Sequence, residues 1–208
     1  MEKKMASDIN EMSGIHVEGH LKILCPETKE VYVNKRNAIH YENMSIALAE
    51  SLANVGQGFI YEMAFGNGGT SVDPTGIITY LTPNTTGTTA NLYFETYSKV
   101  VDQNSVNNLD PSRNKSEIRH VSGTNYTDIL VSCLLDYSEP DGQSAYDNVS
   151  DAEQTFVFDE IGLKSYSTTG TSRLITHVIF HPVQKSLNRL IQIDYTVRVQ
   201  SLSGLAGV

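Results

Sequence analysis

Apolar and polar positions alternate with a period of two through most of this chain. Ile15, Val17, Leu21 and Ile23 fall on one face, with His16, Glu18, His20 and Lys22 on the other. That is the pattern of a half-buried strand. Pro26, Glu27, Thr28 and Lys29 make a turn, and Val31 to Val33 return as a second strand, so the pair reads as a hairpin. In residues 59–65, Phe59, Tyr61, Met63 and Phe65 share a face, and residues 77–81 and 92–101 have shorter β character. Residues 127–135 place Ile129, Val131, Cys133 and Leu135 on one face. Residues 155–159, 173–180 and 189–200 complete the set. In the last of these Ile191, Ile193, Tyr195, Val197 and Val199 alternate with Gln192, Asp194, Thr196, Arg198 and Gln200, giving one dry face and one wet face.

One segment has helical spacing instead. In RNAIHYENMSIALAESLANVG, Met44, Leu48, Leu52 and Val55 form a stripe that Ala47 and Ser51 keep slim. Asn37 or Asn43 suits its start, and Gly56 or Gly58 its end. Three polar stretches, residues 82–91, 102–116 and 136–153, predict long loops. The expected fold is mainly β: an antiparallel β-sandwich, jelly-roll-like, with one amphipathic helix and long loops. Residues 1–14 read as a flexible arm, 15–200 as a single sandwich domain and 201–208 as a tail. No fixed-period repeat is present.

Composition narrows the class. A chain of 208 residues buries a sizeable core without disulfides or metals. The net charge of -9 sets it against phosphate backbones, so no direct nucleic-acid partner is expected. Cys25 and Cys133 sit in apolar strand patterns and read as reduced, buried small hydrophobes; their spacing leaves a disulfide open. The first residues lack an apolar signal core, and no run of about 18 apolar residues occurs, so neither secretion nor a membrane partner is expected. The N-x-S/T matches at Asn43, Asn84, Asn114, Asn125 and Asn148 follow from an Asn/Ser/Thr-rich composition.

The candidate chemistry is weak. Gly66-Asn67-Gly68-Gly69 resembles a phosphate loop but lacks the Lys-Ser/Thr and a following helix. The better reading gives Gly66, Gly68 and Gly69 positive φ at a sharp strand end. Pro74 and Gly76 belong to a second turn, Gly162 to a bulge or bend anchored by Ile161 and Leu163, and Pro182 to a turn after His181. Asp159 and Glu160 are neighbours on a strand, where side chains diverge, and so make a poor acid–base pair. His16 and His20 lie roughly 13 Å apart, too far to hold one metal by themselves, and His177 and His181 repeat that spacing. His40 and His120 have no such pairing; surface or subunit-contact histidines are expected. Asp136, Glu139, Asp141, Asp147 and Asp151 offer oxygen ligands without EF-hand spacing, so a solvated loop is the reading there. No nucleophile elbow of G-x-S-x-G type occurs. The expectation is a protein that is not an enzyme and has no cofactor, no metal and no catalytic residue.

Residues 59–69 (FIYEMAFGNGG), 158–163 (FDEIGL) and 176–183 (THVIFHPV), in this order and with a long final strand, resemble a group of small β-rich virion structural proteins of tailed bacteriophages. That resemblance spans roughly residues 31–200. It implies a virion location after synthesis in the host bacterial cytoplasm. It implies a symmetric homo-oligomer at the neck, tail or capsid surface, with other virion proteins and copies of itself as partners held through arms and loops. The alternative class is a host-adhesion or carbohydrate-binding module of the tail or baseplate, for which the 11 tyrosines and the polar loops would serve sugar stacking.

Overall fold

The computed structural model describes residues 14–55, 57–141, 156–166 and 172–202. Most of the expected arm (1–14) and tail (201–208), Gly56, and Asp147 and Asp151 of the acidic loop lie outside the described residues. The described chain forms the expected antiparallel β-sandwich with one helix.

The first sheet has five strands in the order β2-β1-β12-β9-β8: Val31–Arg36, Gly14–Leu24, Ile191–Leu202, Tyr126–Leu135 and Lys115–His120. The last strand, β12, pairs with β1 from Gln192↔Leu24 to Leu202↔Gly14 and with β9 from Ile191↔Leu135 to Gln200↔Tyr126. Period-two alternation carries Val17, Leu21, Ile23, Val131, Cys133, Leu135, Ile193, Tyr195 and Val197 into the core. The predicted faces of β1, β9 and β12 are the observed ones, except that Ile15 is exposed.

The second sheet runs β3-β11-β10-β4-β7: Ala38–Ile39, Thr176–Gln184, Val157–Ser165, Ile60–Gly66 and Glu95–Val100. Its inner face supplies Met63, Phe65, Phe158, Ile161, Leu163, Val178 and Phe180 to the same core. From Phe158 to Ser165 every residue of β10 is buried, and loop residue Leu92 packs with Ala64 and Leu174 in a separate cluster. A hairpin of β5 (Thr70–Val72) and β6 (Ile78–Tyr80) hangs from this sheet. The Asp73 carboxylate accepts hydrogen bonds from the Thr75 and Ile77 N–H groups, and Gly76 has φ +86, which closes the connection between the two strands.

Helix α1, Tyr41–Ala53, differs from its prediction at both ends and on one face. Its N-cap is His40, whose Nδ1 accepts from the Asn43 N–H at 3.2 Å. Its C-cap is Asn54 in the left-handed region, not Gly58. The Asn43 side chain donates to the Leu174 carbonyl at 2.9 Å and the His40 N–H to the Ile175 carbonyl at 2.9 Å. These bonds seat the N-terminal half of the helix, so Asn43, Met44 and Ala47 are buried, while Leu52 is 83 % and Val55 66 % exposed. Gly58 instead lets the chain cross the helix: a Cβ there would stand 2.0 Å from the Ala47 carbonyl oxygen.

Candidate functional site

The DEIGL motif and the GNGG turn form one buried unit. The Asp159 carboxylate accepts from the Gly69 N–H at 2.9 Å, the Thr70 N–H at 2.8 Å and the Thr70 hydroxyl. Glu160 accepts from the Gly68 N–H at 3.1 Å, the Tyr93 N–H at 2.9 Å, the Phe94 N–H at 2.8 Å and His177 Nε2 at 2.9 Å. Four donors occupy the acceptor capacity of one carboxylate. Burial pushes Glu160 up, but the bonds from His177, Phe94, Tyr93 and Gly68 outweigh it and hold its carboxyl below the usual range. For Asp159 burial wins and the carboxyl is raised. The His177 tautomer follows from geometry: Nδ1 accepts the Asn84 N–H at 2.8 Å, so Nε2 carries the proton that Glu160 receives. Both ring nitrogens are thus engaged, and His177 is fully buried, not a surface histidine as expected. The unit staples the turn at residues 66–70 and loop 82–94 to β10 and β11; it presents no open acid–base pair.

Gly66, Gly68, Gly69 and Pro182 work differently from the expectation. Among the described residues the positive-φ glycines are Gly76, Gly87 and Gly123, so Gly66, Gly68 and Gly69 are not left-handed turn residues. Their role is close approach. A Cβ at Gly66 would lie 2.5 Å from Glu160 Oε1 and from the Phe94 carbonyl oxygen, and one at Gly68 would lie 2.7 Å from the Phe94 nitrogen. Gly162 sits where the pairing of β10 with β11 breaks off: the ladder runs to Ile161↔Val178 and resumes one residue out of register at the Lys164↔Leu174 bridge. Gly162 itself pairs with Ala64 inside β10, and a Cβ there would meet Leu174 Cδ1 at 2.5 Å and the Thr176 carbonyl oxygen at 2.7 Å. Another register shift of β10 against β11 falls between Phe158 and Glu160. Pro182 sits within β11 opposite that shift rather than in a turn, as suits a residue without a ladder donor.

The acidic loop is held by cations. Glu139 pairs with Lys99, and Asp136 pairs with Arg113 at 3.1 Å, so two of the expected oxygen ligands already have partners. Lys185, 1 % exposed, donates to the Ser186 carbonyl at 3.0 Å and the Tyr137 carbonyl at 3.3 Å. Burial brings its ammonium down to about 8. Cys25 and Cys133 are free and buried, and burial pushes the Cys133 thiol up to about 12. Among the described residues no group of three or more His, Cys, Asp or Glu is placed to hold a metal ion.

Among the described residues, an open feature lies at the β8 side of the sandwich. A cavity of about 660 Å³ opens between α1, the start of β4 and the inner face of the first sheet. Met44, Leu48, Phe59, Ile129, Ile175 and Val197 give it an apolar lining. Its size is that of a small-molecule or side-chain pocket. Two cross-strand rows show its origin. Leu21, Tyr195, Val131 and Ser116 follow one another across the first sheet, as do Gly19, Val197, Ile129 and Ile118. Each begins in the dry core and ends at the uncovered edge, where Ile118 is 78 % exposed and the buried Ser116 hydroxyl has no hydrogen-bond partner. The hydrophobic pattern gave no strand at residues 115–120, so this edge was missed; the alternation Ser116, Ile118 against Glu117, Arg119 was its signal.

No family model, no curated protein and no solved structure matches the chain.

Proposed function

We propose that this chain is a non-enzymatic structural subunit of a tailed-phage virion, built into a symmetric homo-oligomer at the neck, tail or capsid surface. The observation that carries the reading is the contrast between its interior and its edge. The buried ionisable groups Asp159, Glu160, His177 and Lys185 are engaged in fastening the fold's own loops. The apolar inner face of the first sheet, by contrast, runs out to an exposed edge strand. Protein interiors do not leave such faces open without a use for them. The loop at residues 102–114 fits the same role. Asn108 and Asn114 anchor its base through the bond from Asn108 Nδ2 to the Asn114 carbonyl at 2.7 Å, while Val106 and Leu109 are each 94 % exposed at its tip. The motif order AFGNGG, DEIGL, FHPV supports the phage assignment.

The test is to label purified particles from the chain's host with antibody to the folded domain and to count its peptides by mass spectrometry. Regular decoration and a multiple-copy ratio to the major capsid protein are expected. A chain found only in the soluble lysate sinks the reading.

A second reading, host adhesion, draws on Tyr80, Tyr93 and Phe94. They are 47 %, 46 % and 57 % exposed, and Tyr80 lies within hydrogen-bond distance of His181. Exposed rings of this kind stack on sugars. Retention of host polysaccharide by the purified protein, lost on Tyr93→Ala, would favour it.

A further inference from the structure

We propose that β8 is a seam between two copies of this chain, paired antiparallel about a twofold axis with Ile118 opposite Ile118. The inference rests on the assembly reading above and names its contact.

Backbone parity sets the register. The Ser116 N–H points away from β9, to Gln103 Oε1 at 3.0 Å. Ile118 and His120 share that parity, so their N–H and C=O groups face outward along the free edge. A twofold through an outward-facing residue makes a hydrogen-bonded pair, in which Ile118 exchanges both backbone bonds with its own copy. Ser116 then faces His120 and takes up the next bonds as the Gln103 side chain moves aside.

Charge selects the same register. On the outer face of the first sheet, Glu18, Arg198, Asp128 and Arg119 are successive cross-strand neighbours and alternate in sign. Arg198 holds Asp128 through both oxygens at 2.7 and 2.9 Å. The ladder stops at Arg119, at the free edge. With Ile118 on the axis, Glu117 of one copy stands opposite Arg119 of the other, twice, and the alternation continues into the second copy. Lys115, which now neutralises Glu117 at 2.5 Å, stands opposite Val121. Centring on Glu117 instead would set Lys115 against Arg119 and glutamate against glutamate. The strand is thus self-complementary in one register. On the inner face the pairing covers Ile118 and extends the apolar row Val197, Ile129, Ile118 into its copy, closing the mouth of the cavity at that side.

Sedimentation of the purified chain over a concentration series, with Glu117→Arg and Arg119→Glu, tests the seam. Circular dichroism checks that both exposed-site variants fold. The wild type is expected to dimerise. Each variant alone sets like charges opposite one another twice and should raise the dimer Kd about tenfold or more. An equimolar mixture of the two restores both opposite-charge pairs, and the dimer should return. Independently, Ile118→Cys should cross-link with a short bifunctional thiol reagent, because the two Cβ atoms of such a pair stand about 5.5 Å apart on the same face. An oligomer that both variants leave intact and that Ile118→Cys does not cross-link overturns the seam and leaves the assembly reading standing. A wild type that stays monomeric at every concentration overturns the seam and counts against that reading too.

Discussion

Gly162 and Glu160 show why single residues in this chain resist substitution. Gly162 sits where β10 passes within contact of Leu174 and the Thr176 carbonyl, and an alanine methyl meets backbone that cannot yield. Gly162→Ala should therefore cost about 2 kcal/mol or more in urea unfolding. Gly76→Ala, strained at φ +86 but surrounded by open space, should cost about 1 kcal/mol. Glu160→Gln presents an amide NH₂ to a ring of N–H donors and should cost about 3 kcal/mol. Lys185 gives a pH signature. Its folded value of about 8 lies below the ordinary lysine value of 10.5, so between these the unfolded chain binds more protons, and stability rises with pH. Cys133, Tyr97 and Tyr195, all raised by burial, act in the opposite direction at higher pH, but they are common to wild type and Lys185→Met. The difference between the two proteins should grow in favour of the wild type by on the order of 2 kcal/mol from pH 8 to pH 10; a flat difference would contradict the buried-ammonium account. Little of this was legible in the sequence. The string GNGG announces a turn, but whether its glycines serve φ or close approach depends on Glu160, far along the chain.

Elements were legible where one face is dry. The alternation in β1, β9 and β12 fixed both their existence and their inward residues, because a one-residue slip would turn every apolar side chain to water. Helix α1 was recognisable, but its buried face was not. The apolar stripe Met44, Leu48, Leu52, Val55 suggested a face packed along its whole length, whereas the bonds of His40 and Asn43 to Ile175 and Leu174 seat only its first half. Met44→Ala should accordingly cost about 2 kcal/mol or more, while Leu52→Ser should stay within about 0.5 kcal/mol, measured by thermal or urea unfolding. The short strands β3 and β5 and the edge strand β8 escaped detection. Two- and three-residue strands have no period to read, and β8 mixes charges with a single isoleucine. Such mixed edges are how sheets avoid promiscuous pairing while permitting a chosen one.

At the scale of the whole molecule, two five-stranded sheets share one core, and long loops are fastened back onto them by buried polar groups. The architecture follows from the strand patterns. The pinning of the turn at residues 66–70 and of loop 82–94 does not, because it depends on backbone N–H groups meeting carboxylates that sit between 66 and 92 positions away in the chain. Among the described residues, the β8 edge and the apolar cavity beside it lie open, which suits a block that is completed by neighbours. The most direct measurement is an electron-microscopic reconstruction, at side-chain resolution, of the particle that carries this chain. The account predicts density for the sandwich repeated about a symmetry axis, with apolar surface around β8 and residues 102–114 covered by neighbouring subunits. A particle lacking this density, or one in which that face points into solvent, would contradict it.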